Sequence, residues 1–236
     1  MSLETFRQIY GLDDSPSPLD RSVLILIDIQ REYRDGRVPL ANVDAAADEA
    51  GRLLALARRN GVPVIHIAHD AGPGAPAFAS DGPYRDFLPQ VAPQEGETVL
   101  FKTHANAFID TGLADRIKET GRKEVIIAGD TVGVCVSTTA RAAAEEHGLR
   151  VTLVADAIAA RDVADPLGGT IAAETVRRVA LAELADMFAV VVKDSIAWQE
   201  CGGLSPSAGQ RGLAGPALPS PPGPPSSSPA ISLRLR

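Results

Sequence analysis

The chain has 236 residues, 45% of them hydrophobic and 22% charged, with a formal net charge of −7. These are globular values, and the length allows one domain with its own apolar core. The acidic balance speaks against a nucleic-acid or anionic-membrane surface, and no apolar run is long enough to cross a bilayer.

The first residues, MSLETFRQIYGLDDSPSP, lack the basic and apolar regions of an export signal, so a cytoplasmic protein is expected. Residues 1–21 read as an N-terminal arm that ends in the turn-rich Asp13-Asp14-Ser15-Pro16-Ser17-Pro18. Val23–Asp28 is the first strand, a continuous apolar run closed by a carboxylate. A loop over Gln30–Pro39 leads to a helix over Asn42–Arg59. Its apolar residues Val43, Ala46, Ala47, Ala50, Leu53, Leu54 and Ala57 fall on one face, and Gly61 stops it.

Pro63–Ala68 is the second strand. From His69 to Glu97 the chain is rich in Gly and Pro and aperiodic, which predicts a long functional loop with one helical turn at Tyr84–Leu88. Thr98–Phe101 is the third strand and runs into Lys102. A helix around Leu113–Glu119, a fourth strand at Val125–Ala128 and a helix over Ser137–His147 follow. Arg150–Val154 is the fifth strand, Asp156–Gly169 a loop, Thr170–Ala185 a helix, and Phe188–Val192 the sixth strand.

This alternation predicts an α/β three-layer, Rossmann-like fold: a six-stranded, mainly parallel sheet with helices on both faces, spanning residues 22–202. Beyond it, residues 203–236 carry eight of the chain's 18 prolines among Ser and Gly. Such a tail cannot bury enough surface to offset its ordering entropy, so disorder is expected.

In open parallel sheets ligands bind outside the carboxyl ends of the strands. Asp28, Lys102 and Cys135 all fall at or just beyond such ends. Cys135 is placed where a helix begins, a setting whose unpaired N–H groups and dipole favour a thiolate. Cys135 and Cys201 are far apart and no Cys-x-x-Cys spacing occurs, so neither a disulfide framework nor a zinc site is expected.

Three motifs, Ile25-Leu26-Ile27-Asp28-Ile29-Gln30, Lys102 followed by Asn106-Ala107-Phe108, and Ala128-Gly129 with Cys135-Val136 six residues on, follow one another on successive strands. In this combination the chain resembles the isochorismatase-like cysteine hydrolases, a family that includes nicotinamidases, N-carbamoylsarcosine amidohydrolases and isochorismatases. The resemblance covers roughly Arg21–Ser195. It implies an Asp–Lys–Cys triad in which Asp28 is the general base, Lys102 holds the carboxylate and favours the thiolate, and Cys135 attacks a carbonyl carbon. It also implies a non-proline cis peptide at Asp130-Thr131 that aims the Thr131 N–H, with that of Cys135, at an oxyanion.

Nicotinamidases of that family carry a metal-binding Asp-x-His and a further His after the second strand. Here the region reads Ala68-His69-Asp70-Ala71-Gly72-Pro73, so no metal, no cofactor and a substrate other than nicotinamide are expected. Gln30, Tyr33, His69, Asn106 and Phe108 are candidate substrate-binding residues, with Asp70 and His104 beside them. The expected reaction is hydrolysis of a C–N bond, amide or carbamoyl, in a small molecule through a Cys135 thioester. The alternatives are isochorismatase-type vinyl-ether cleavage with Asp28 as acid, and a non-catalytic binding scaffold. The resemblance further suggests a homo-oligomer, with no nucleic-acid or membrane partner.

Overall fold

A computed structural model describes residues 3–199. The elements run α1 (Phe6–Ile9), β1 (Ser22–Ile27), α2 (Glu32–Asp35), α3 (Val43–Arg59), β2 (Val64–His69), β3 (Thr98–Lys102) and α4 (Leu113–Glu119). They continue with β4 (Glu124–Gly129), α5 (Ser137–Glu145), β5 (Arg150–Ile158), β6 (Val163–Ala164), β7 (Thr170–Ile171), α6 (Ala173–Met187) and β8 (Val190–Val192). Six strands form one sheet in the order β3-β2-β1-β4-β5-β8, every neighbouring pair parallel. The strand order reverses direction beside β1 and β4, so their carboxyl ends flank the crevice where such sheets place ligands.

The apolar runs have nothing polar to alternate with because both faces are covered. On one face Val23, Ile25 and Ile27 of β1 pack with Leu113 and Ile117 of α4, Ala140 of α5 and Leu184 of α6. On the other, Leu24 and Leu26 pack with Leu53 and Leu54 of α3 and with Trp198. All seven apolar positions named for the α3 helix are buried. Gly61, at φ +61°, ends that helix as expected, and the Val62 N–H turns back to the Ala57 carbonyl at 3.0 Å.

Several local expectations need correction. Tyr84–Leu88 is not helical: Phe87 bridges Gln30 in antiparallel fashion, and the Arg31 and Glu32 N–H groups bond the carbonyls of Asp86 and Tyr84. The tight turn falls instead at Pro89–Val91, where proline's fixed φ suits the first position. The loop after Gln30 contains the short helix α2. β5 extends to Ile158, and Thr170–Ile171 pairs with Val163–Ala164, so α6 begins only at Ala173, whose N–H donates to the Asp162 carboxylate at 2.8 Å.

The arm at residues 3–21 is tied to the domain. A capping box of Thr5 and Gln8 starts α1, and the Phe6 N–H reaches Asp186 of α6. The Ser17 N–H bonds the Thr152 hydroxyl of β5 at 2.9 Å, and the Ser17 carbonyl accepts from the Trp198 indole at 2.8 Å. The tail expected from residue 203, and Cys201, lie outside the described residues.

Candidate active site

Asp28 follows β1, Lys102 ends β3, and Cys135 lies in a wide turn, Val132–Val136, that runs without interruption into α5. The Lys102 ammonium lies 2.7 Å from Asp28 Oδ2 and 3.3 Å from Cys135 Sγ. Asp28 is wholly buried, Lys102 is 1% exposed and Cys135 7%. Three side chains distant in the chain are therefore in mutual contact at one end of the sheet, screened from water.

Backbone geometry brings them there. Asp28 has φ +53°, a left-handed conformation that non-glycine residues seldom adopt. Its N–H donates to the Ile67 carbonyl of β2 at 2.8 Å, which pins the turn against the neighbouring strand. On the other side β4 passes so close to β1 that a Cβ on Gly129, at φ +133°, would stand 2.0 Å from the Ile27 carbonyl oxygen. Only glycine fits there. The next peptide, Asp130-Thr131, is cis, as the resemblance implies. The Asp130 carboxylate accepts from the Ala159 N–H at 3.1 Å, and the Thr131 carbonyl accepts from the Val134 and Val136 N–H groups, which shapes the Cys135 turn.

The electrostatics reverse one expectation. A helix start alone favours the thiolate, yet here burial, seconded by the Asp28 charge, pushes the Cys135 thiol up to about 12 against the opposing pull of Lys102. Burial also raises Asp28, to about 6, with Lys102 resisting. Near neutral pH the resting site is a carboxylate, an ammonium and a protonated thiol. Asp130, wholly enclosed, is raised by burial to about 8.

The candidate substrate-binding residues divide. His69 is the last residue of β2 rather than part of a loop, and its Nδ1 lies 3.2 Å from Lys102 Nζ. Tyr33 is buried, and burial first, then the charges of Asp28, Cys135 and Asp130, raise its phenol pKa. Gln30 is not a pocket residue. It is fully buried, its amide oxygen accepts from the His69 N–H at 2.8 Å, and its amide nitrogen donates to the carbonyls of His69 and Arg85.

Asn106 folds its own loop by accepting from the Phe108 N–H at 2.9 Å. Phe108 is turned away to stack on His147, beyond the far end of α5, at 4.1 Å between ring centroids. Asp70 caps Gly72 and faces Arg85, and His104 is exposed. Among the described residues no three His, Cys, Asp or Glu side chains are placed to hold a metal ion.

Sequence reasoning missed Phe78. It stands edge-to-face with both Tyr33, at 5.0 Å, and His69, at 5.1 Å, and so joins them in one aromatic wall. Its φ of +55° and its place in an aperiodic loop left no periodic signal to find it by.

The Isochorismatase domain profile matches residues 22–194, the whole sheet and every residue of the site. The chain belongs to the isochorismatase family. Among its relatives is the secreted isochorismatase effector Isc1 of Verticillium dahliae, 35% identical over 190 residues that make up 80% of this chain and 97% of that protein. A maleamate amidohydrolase of Pseudomonas putida is 34% identical over 60% of this chain and 73% of its own length. The crystal structure of an isochorismatase from Pseudomonas putida KT2440 superposes with a TM-score of 0.76 at 37% identity, covering 81% of this chain and 97% of that one. The family assignment makes the chain a hydrolase.

Proposed function

We propose that this isochorismatase-family hydrolase cleaves a C–N bond, amide or carbamoyl, of a small molecule with Cys135 as nucleophile. The observation that carries the reading is the Lys102 ammonium placed between Asp28 and the sulfur. As the sulfur attacks the substrate carbonyl carbon, the Asp28 carboxylate takes the thiol proton, which a thiol held up near 12 cannot lose unaided at neutral pH. The C–N bond then breaks and Asp28 returns that proton to the leaving nitrogen. Water attacks the thioester, giving a proton to Asp28, and the departing sulfur recovers it. Lys102 keeps one positive charge beside whichever partner is anionic, and the N–H groups of Thr131 and Cys135 are assigned to the oxyanion. The maleamate amidohydrolase relative supports C–N chemistry.

A second reading has its own support. The Isc1 relative bears the name isochorismatase, and a carboxyl raised to about 6 can serve as an acid. Vinyl-ether cleavage of this kind needs Asp28 and not Cys135. An activity screen over small amides, carbamoyl compounds and isochorismate separates the two. Loss of turnover in both Cys135→Ala and Asp28→Asn supports the thioester route, and retention in Cys135→Ala with loss in Asp28→Asn supports the second.

Self-association belongs to the same proposal. Val134 and Phe101, neighbours in sequence of Cys135 and Lys102, are large apolar side chains about half exposed. Sedimentation of the full chain tests it, with a monomer at all concentrations as the contrary result.

A further inference from the structure

We propose that His69 is a positioning residue: its Nδ1 takes the third proton of the Lys102 ammonium group and so holds that group between Asp28 and Cys135. The inference rests on the reading of Cys135 as nucleophile and adds to it a residue that acts through Lys102.

An ammonium group has three donors and no acceptor, and a buried cation needs all three placed. Around the nitrogen of Lys102, 1% exposed, stand its ion-pair partner Asp28 Oδ2 at 2.7 Å and two hydrogen-bond partners, His69 Nδ1 at 3.2 Å and Cys135 Sγ at 3.3 Å. Remove one and the nitrogen is free to turn toward the remaining pair or away from both.

The juxtaposition is built into the sheet. His69 and Lys102 are register partners in the parallel pair β2–β3, so their side chains leave the same face at the same level. The Gln30 amide bonds both the N–H and the carbonyl of His69, and the Phe78 ring stands edge-to-face against the imidazole. The buried glutamine thus fixes the histidine, and the histidine fixes the lysine.

Because Lys102 can only donate, His69 Nδ1 has to accept, which puts the ring proton on Nε2. A neutral ring is what this environment selects. Burial first, and Lys102 next, bring the imidazole down to about 4, with Asp70 opposing and His104 adding slightly. A second cation would push the ammonium from its place; a neutral acceptor holds it there.

Two readouts on the full chain test this. With 15N-labelled histidine, a long-range 1H–15N correlation at neutral pH should show His69 with a bare, hydrogen-bonded Nδ1 and a protonated Nε2. A proton on Nδ1 overturns the inference. The second readout is the rate of Cys135 alkylation by iodoacetamide, followed at that residue by mass spectrometry across pH. His69→Leu, folded by circular dichroism, should slow it about 10-fold at neutral pH and move its pH profile up by about one unit.

His69→Asn, whose side-chain oxygen takes the place of Nδ1, should restore most of the rate. A native rate and profile in His69→Leu, or no recovery in a folded His69→Asn, overturns the proposal. Failure of the nucleophile reading looks different: Cys135→Ala then keeps its turnover and no acyl adduct forms on Cys135 of the unaltered chain, while the tautomer readout still decides the role of His69.

Discussion

Lys102 Nζ stands 3.3 Å from Cys135 Sγ and closer still, at 2.7 Å, to the carboxylate on its other side. A single buried cation thus serves two groups of which only one is anionic at rest. Without it Asp28 is left as an uncompensated charge in the interior, a loss that costs about 3–5 kcal/mol where both partners are buried. Urea unfolding of Lys102→Met should show a deficit of that order at about pH 8. At about pH 5 the deficit should be smaller, because the carboxyl can then take a proton instead.

The acid limb of activity should report Asp28. Its carboxyl is raised to about 6 by burial against the opposing effect of Lys102, and it has to be ionised to accept the thiol proton. The value of kcat/KM should therefore rise with pH through about 6 and level off above it. A vinyl-ether hydrolase using the same residue as an acid should lose activity over that range, so the sign of the slope distinguishes the two chemistries.

Asp130 makes a stability prediction with a defined sign. Burial raises its carboxyl to about 8, while in the unfolded chain it titrates near 3.8. Between those values the native state holds a proton that the unfolded state has released. Stability from this group is therefore full at low pH and falls as pH rises toward 8, by up to about 1.4 kcal/mol per pH unit. Asp28 acts in the same direction over the narrower window up to about 6. Asp130→Asn keeps an oxygen for the Ala159 N–H and should flatten this slope, as read from denaturant midpoints at about pH 5 and about pH 8.

Gly129→Ala should be far more damaging than an ordinary surface change. The new Cβ meets the Ile27 carbonyl at 2.0 Å, and the backbone keeps φ at +133°. Neither β1 nor β4 can move, because each pairs with two strands in the centre of the sheet. A loss of about 4 kcal/mol or more is expected, measured by chemical unfolding.

Much of this was legible in the sequence because it rests on local pattern. Continuous apolar runs such as Val125–Ala128 mark strands covered on both faces, and the α3 stripe is read from its spacing alone. The ends of those strands then name Asp28, Lys102 and Cys135. What was not legible depends on distant partners. Gln30 looks like a pocket residue until the carbonyl of Arg85, 55 residues away, is found on its amide.

Phe108 looks like part of the site until its ring is seen on His147, and nothing local tells Phe78 that it will meet Tyr33 and His69. The thiol shows the same limit in energetic form. Its place in the chain suggests a stabilised thiolate, whereas its protonation is set by burial and by a carboxylate more than a hundred residues away in sequence.

In the thioester route proposed for this enzyme, Cys135 carries the acyl group during turnover. Rapid quench of the enzyme with an amide or carbamoyl substrate, followed by peptide mass spectrometry, tests it directly. An added acyl mass on the peptide bearing Cys135 is expected, together with a fall in turnover of about three orders of magnitude or more in Cys135→Ala. Full turnover in Cys135→Ala, with no adduct in the unaltered enzyme, would contradict it.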